Sequence, residues 1–135
     1  MNGKQIDELI VQMENHVECW KQFNLYVNMA RSRKFEAEDE SHFLEVKSVL
    51  IQEFEVIVAA VQSGTPDRED IHSLIGSAAS IRYLSEMSDG ALRGVETQWH
   101  RIFIAFQALL GKLKVVRRQE GSRSIIGALF HKRAA

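Results

Sequence analysis

The sequence has 135 residues, 45% of them hydrophobic, which is the length and apolar content of a single domain with its own core. Its one cysteine, Cys19, excludes an internal disulfide and favours a reducing compartment, so we expect a cytoplasmic protein. The net charge of -1 conceals an asymmetry, because residues 112–135 hold seven Lys or Arg against one acid whereas residues 1–111 sum to -7.

The first predicted helix covers about residues 4–33. Its start is acidic and amphipathic, unlike the apolar segment of a signal peptide. The basic segment 31–34 favours a helix C-terminus, where cations stabilise the negative end of the helix dipole. Apolar residues recur with helical spacing, close to a 3.5-residue repeat, at Ile6, Leu9, Ile10, Met13, Val17, Trp20, Phe23, Val27 and Ala30.

The second predicted helix begins among the acids of segment 35–45, which suit the positive end of a helix dipole. Its apolar residues cover more than one face, so we expect it to be the most buried helix. They are Phe43, Leu44, Val46, Val49, Leu50, Ile51, Phe54, Val56, Ile57, Val58 and Val61.

The segment SGTPDRED, residues 63–70, separates the second helix from a third. Gly64 suits a helix C-terminus, Thr65 a helix N-cap, and Pro66 a first helical turn. The third helix is predicted to be short, to run through Ile71 to Leu84, and to carry small residues at positions 76–80.

The fourth predicted helix follows the break at residues 85–90 and has the most regular apolar pattern in the chain. The spacing of three and four residues persists for about four heptads, until EGSRS at residues 120–124 interrupts it. The pattern comprises Leu92, Val95, Trp99, Ile102, Phe106, Leu109, Leu113 and Val116.

These patterns predict an all-α protein, an antiparallel four-helix bundle with long first and fourth helices and a short C-terminal appendage. The bundle would span residues 1–118 and a basic and apolar tail residues 119–135. No apolar run is long enough for a transmembrane segment. Helices of unequal length leave part of the long pair uncovered, which favours a homo-oligomer, most simply a homodimer.

Residues 72–77, His-Ser-Leu-Ile-Gly-Ser, match the pattern H-x-L-K-G-S at His72, Leu74, Gly76 and Ser77. This string resembles the motif of histidine phosphotransfer domains, which are four-helix bundles. The resemblance implies that His72 is an exposed phosphoacceptor, with Ser77 nearby, and that Gly76 leaves room for a receiver domain. Ile75 replaces the motif's lysine, and an apolar side chain cannot neutralise a phosphoryl group. The competing interpretation makes His72 a structural residue, and we favour it.

Metal and nucleophile sites are incomplete in this sequence. Acid–histidine pairs with helical spacing occur at 69/72, 39/42 and 96/100, and His16 lies one turn before Cys19. Each pair lacks the further ligands of a metal centre, and such pairs are frequent on helix surfaces. Cys19 lies in a helix rather than in a strained turn, so we expect no catalytic residue, no metal and no cofactor.

The basic C-terminal end is the best candidate for partner binding. It could contact an anionic surface such as nucleic acid or a membrane, or be a solvated helix end. The negative net charge and the missing aromatic platform argue against sequence-specific DNA binding. The candidate residues are Lys112, Lys114, Arg117, Arg118 and Arg123.

We therefore expect a small non-enzymatic helical interaction or regulatory protein. Its partner would be another protein, most simply a second copy of the chain. One alternative is a phosphotransfer-like module, active or degenerate, that uses His72. The other is an adaptor that binds an anionic partner through its basic C-terminal end. Phosphotransfer requires an exposed His72, self-association requires an apolar surface covered by another chain, and the adaptor predicts salt-sensitive binding that is lost without the residues after Arg117.

Overall fold

Five α-helices make up the computed structural model, which describes the backbone of residues 1–61 and 63–134 and the side chains of residues 1–61 and 63–121. They are α1 (Gly3–Ser32), α2 (Ala37–Ala60), α3 (Arg68–Ser77), α4 (Ile81–Ser85) and α5 (Asp89–Ala134). The described backbone contains no β-strand, so the all-α prediction is confirmed. Among the described residues, no helix is both long and apolar enough to cross a membrane.

The ends of α1 and the start of α2 are fixed by local hydrogen bonds. The side chain of Asn2 accepts a bond from the Gln5 amide, and the Gln5 side chain accepts one from Asn2, which forms a capping box. α1 ends where Arg33 adopts a left-handed conformation with φ 57° and donates its amide to Ala30. α2 begins where the carboxylate of Asp39 accepts the amide of Glu36 at 2.8 Å.

α1 packs against both α2 and α5 and runs antiparallel to each. Phe23 near the end of α1 contacts Phe43 near the start of α2, with ring centroids 5.3 Å apart. The indole of Trp99 in α5 donates to the backbone oxygen of Trp20 at 2.8 Å, which pairs the two tryptophans as antiparallel packing requires. The largest buried side chains of this core are Met13, Trp20, Phe23, Phe43, Phe54 and Phe106.

The expectation that the second helix is the most buried is wrong. α1 buries nine side chains and α2 five. Packing explains the difference, because α1 packs closely against α2, α4 and α5, whereas α2 packs mainly against α1. α2 therefore leaves Leu44, Val49 and Val56 exposed, although the sequence placed them with its apolar residues.

The predicted third helix is two helices, α3 and α4, separated at residues 78–80. Two side chains of α2 stabilise the break. The ammonium of Lys47 donates to the backbone oxygens of Ala78 and Ala79, both at 2.9 Å, beyond the last turn of α3. The carboxylate of Glu40 accepts the Ile81 amide at 2.6 Å, in the first turn of α4. Each side chain satisfies backbone groups that a helix end leaves without partners.

α5 has 46 residues and is therefore about 69 Å long, compared with about 45 Å for the 30 residues of α1. The guanidinium of Arg117 bonds Asp7 in the first turns of α1 at 2.7 Å. Residues 118–134 therefore continue the helix beyond the level of Asp7, for about 25 Å. The EGSRS segment does not end the helix; the division into residues 1–118 and 119–135 stays a prediction.

Candidate functional site

The basic end of α5, which we define as residues 112–118, places cations beside exposed apolar side chains. Val115 and Val116 are 43% and 38% exposed. Helical spacing puts Lys112, Val115 and Val116 on one face and Lys114 with Arg118 on the adjacent face. Lys112, Lys114 and Arg118 are exposed. This segment can contact an anionic or mixed apolar and acidic surface.

Arg117 differs from the other predicted partner-binding residues because it is bonded within its own chain. Its Nε donates to Asp7 at 2.7 Å, and its guanidinium lies against Gly3, 3.0 Å from where a Cβ would stand. Arg117 therefore attaches α5 to the start of α1. The side chain of Arg123 lies outside the described residues.

A groove of about 300 Å³ opens between α1 and α2 on their outer side. Its walls combine amides, one carboxylate and aliphatic side chains. They are Gln12, Asn15, Gln52, Glu53, Val56 and Ile57. Val56 is 52% exposed, and Val49, two turns earlier on the same face, is 41% exposed. We call this the α1–α2 groove.

Glu53 connects the α1–α2 groove to the core through a chain of hydrogen bonds. Its carboxylate contacts Nδ1 of the fully buried His16 at 2.9 Å, and the indole of Trp20 donates to Nε2 of His16 at 3.0 Å. An indole N–H only donates, so Nε2 accepts and Nδ1–H donates to Glu53. Burial lowers the pKa of His16, and the hydrogen bond and charge of Glu53 oppose that shift. His16 is therefore held neutral in one tautomer.

His72 is exposed on α3, in the fifth residue of the ten-residue helix. Gly76, one turn later, is also exposed, and a Cβ there would meet nothing within 4 Å. Ile75 is only 8% exposed, so the position that carries lysine in the motif faces the core here. Ser77 donates its hydroxyl to the oxygen of Leu74 at 2.9 Å. The histidine and glycine thus have the exposure that phosphotransfer requires, without the cation.

The cysteine and the acid–histidine pairs form other contacts than a catalytic or metal site needs. Burial, followed by the charge of Glu53, raises the pKa of the Cys19 thiol to about 11, so it is protonated at neutral pH. Glu96 accepts bonds from Arg31, and Asp39 caps α2 rather than contacting His42. Within the described part of the chain, no three His, Cys, Asp or Glu side chains are placed to hold a metal ion.

Sequence reasoning missed the α1–α2 groove and the Glu53–His16–Trp20 chain. His16 and Glu53 are 37 residues apart, so helical spacing alone could not pair them. One signal was available: His16 lies one turn before Trp20 and one residue before Val17 in the apolar pattern, where a polar residue must find a partner. Lys47 gives the same signal in α2, four residues after Phe43 and three before Leu50.

No protein-family model, no curated protein and no solved structure matches the chain.

Proposed function

We propose that the chain is a small non-enzymatic interaction protein of the cytoplasm that self-associates through the basic end of α5. The observation that carries the proposal is the exposure of Val115 and Val116 beside Lys112, Lys114 and Arg118 on a helix that continues past the start of α1. Adjacent exposed apolar side chains on a helix favour a contact with another surface. In this proposal α3 and α4 together are the third member of an antiparallel four-helix bundle.

The charge distribution supports a second copy as the partner. The segment from Gly3 to Ala60, which holds α1 and α2, has eleven acidic and six basic side chains, a net charge of -5. Residues 112–135 carry +6. One molecule therefore contains both an acidic and a basic surface, and opposite surfaces on two copies attract each other. The lone Cys19 supports a reducing compartment.

Sedimentation equilibrium across a concentration series tests self-association. We expect a dimer whose dissociation constant rises as salt increases from about 0.05 to 0.5 M, since exposed charges are screened. Reversing three charges, Lys112→Glu, Lys114→Glu and Arg118→Glu, should give a monomer. The matched control, Arg33→Glu, Lys34→Glu and Arg101→Glu, also reverses three exposed cations and should remain dimeric.

A monomer at every concentration would contradict self-association. Cosedimentation with vesicles of anionic lipid then tests the adaptor alternative. Vesicle binding by the wild type that the triple charge reversal abolishes would make an anionic surface the partner.

His72 carries a second candidate function, a phosphotransfer-like signalling module, supported by the exposure of His72 and the open space at Gly76. Incubation with acetyl phosphate or a phosphorylated receiver, followed by intact mass measurement, tests it. An acid-labile gain of one phosphate that His72→Gln abolishes, and that His100→Gln at another exposed histidine retains, would support phosphotransfer. No gain with a competent receiver would leave His72 a structural residue.

A further inference from the structure

We infer that the α1–α2 groove is the docking site for the basic end of α5 from a second copy of the chain. This inference rests on the proposed self-association and names the surface that receives it.

The two surfaces have complementary chemistry. The groove presents the carboxylate of Glu53, which is 34% exposed, next to the exposed Val56. The α5 face presents Lys112 one turn before Val115 and Val116. A helix laid in the groove can place its valines on Val56 and its ammonium near Glu53, which is the combination of an apolar centre and polar rim found in protein interfaces.

Exposed acidic side chains also lie near the groove, which suits a cationic partner. Glu45 lies one turn before Val49 in α2 and is exposed, and Glu8 lies one turn before Gln12 in α1 and is exposed. The amides of Gln12, Asn15 and Gln52 line the groove and offer donors and acceptors to a helix surface. A cationic helix is therefore favoured in this groove over an anionic one.

The occupant must come from another molecule, because α5 cannot reach the groove of its own chain. Phe106 and Leu109 of α5 are buried in the core, and Arg117 is bonded to Asp7 of α1. These contacts and the packing of Phe106 on Phe54 of α2, with ring centroids 6.2 Å apart, hold α5 on the core side of α1 and α2, whereas the groove is lined mostly by exposed side chains. Each copy supplies one groove and one α5 end, and two reciprocal contacts related by a twofold axis would close the assembly as a dimer.

Val56→Lys tests the groove, and Ile104→Lys is its matched control. Both side chains are 52% exposed, both lie on helices, and both variants add one positive charge. We expect Val56→Lys to raise the dimer dissociation constant about tenfold or more and Ile104→Lys to change it less than about twofold. Melting temperatures should be similar for the two variants, which separates loss of docking from loss of folding.

The outcomes separate this inference from the proposed function. If the wild type is monomeric, self-association itself fails. If the wild type dimerises, the triple reversal at residues 112, 114 and 118 is monomeric, and Val56→Lys behaves as Ile104→Lys, then the groove inference is overturned while the proposed function stands.

Crosslinking locates the contact directly. A photoreactive benzoyl-phenylalanine replaces Val116, and a mixture of isotopically light and heavy protein identifies crosslinks between copies. We expect crosslinks from residue 116 to residues 12–15 or 52–57 of the other copy. We expect few crosslinks when the same photoreactive group replaces Ile104. Crosslinks from residue 116 to α5 of the other copy would show pairing of two α5 ends and would overturn the groove inference.

Discussion

The buried polar side chains of this core have hydrogen-bonding roles that are determined by whether their neighbours donate or accept. Trp20 can only donate, so His16 accepts at Nε2 and donates at Nδ1 to Glu53. Cys19 lies one turn after His16, and its thiol lies 3.9 Å from the oxygen of Val46. Burial favours the neutral form of both the His16 imidazole and the Cys19 thiol. The pH dependence of stability and the reactivity of the thiol can therefore test these two shifts.

The stability of the protein should depend on pH through the buried His16. Because folding lowers the pKa of His16, its contribution to stability is complete above the unfolded pKa of about 6.5 and is lost as the pH falls below that value, where the unfolded chain binds the proton more readily. Protonation also places a second N–H at Nε2 against the Trp20 indole. Urea unfolding of the wild type should show a lower free energy of unfolding at about pH 5.5 than at about 7.5.

His16→Gln supplies the comparison, since its side-chain amide can accept from Trp20 and donate to Glu53 without titrating. Its loss of stability between the two pH values should be smaller than that of the wild type. His42→Gln changes an exposed histidine and should behave as the wild type does. Equal slopes for all three proteins would contradict the assignment of the pH dependence to His16.

The thiol of Cys19 should react slowly in the folded protein. A thiol with a pKa of about 11 in a half-buried position is almost entirely protonated at neutral pH, and thiolate is the reactive form. Ellman's reagent should therefore react with the folded protein at least about 100-fold more slowly than with the same protein in urea. A rate in the folded state close to that of the unfolded chain would show that Cys19 is accessible and ionised.

At the scale of elements, the sequence predicted what local patterns determine and missed what distant contacts determine. The basic segment 31–34 predicted the end of α1, which is at Ser32, and the acids at 36–40 predicted the start of α2. The break between α3 and α4 was missed because it depends on Glu40 and Lys47 from α2. The spacing of residues 71–84 cannot show that Lys47 and Glu40 of α2 bond the backbone at the break.

The buried Lys47 offers a test of that break. Lys47→Met keeps the aliphatic length but removes the donor to Ala78 and Ala79, so the backbone oxygens beyond the last turn of α3 lose a partner. The free energy of unfolding should fall by about 1–3 kcal/mol. Lys34→Met removes an exposed ammonium and should change it by less than about 0.5 kcal/mol. Denaturant titration of both variants measures the difference, and an equally stable Lys47→Met would show that the carbonyls need no cation.

At the scale of the whole molecule, the cations near the end of α5 divide into two roles. Arg117 is bonded to Asp7 and connects α5 with α1, whereas Arg118, the next residue, is exposed and belongs to the proposed docking surface. The sequence could not distinguish these adjacent arginines, because the distinction depends on which side of α5 faces α1. The α1–α2 groove was unpredictable for the same reason, since its walls come from segments about 40 residues apart.

This division predicts opposite effects for two neighbouring substitutions. Arg117→Gln breaks a partly exposed ion pair within the chain, so it should lower the free energy of unfolding only slightly and leave dimerisation nearly unchanged. Arg118→Gln should leave the stability of the monomer unchanged and raise the dimer dissociation constant, with a weaker salt dependence than the wild type, because one interfacial charge is lost. Urea unfolding at low protein concentration and sedimentation equilibrium measure the two quantities. If both substitutions weaken dimerisation equally, Arg117 leaves Asp7 to join the contact, and the assignment of the two roles is wrong.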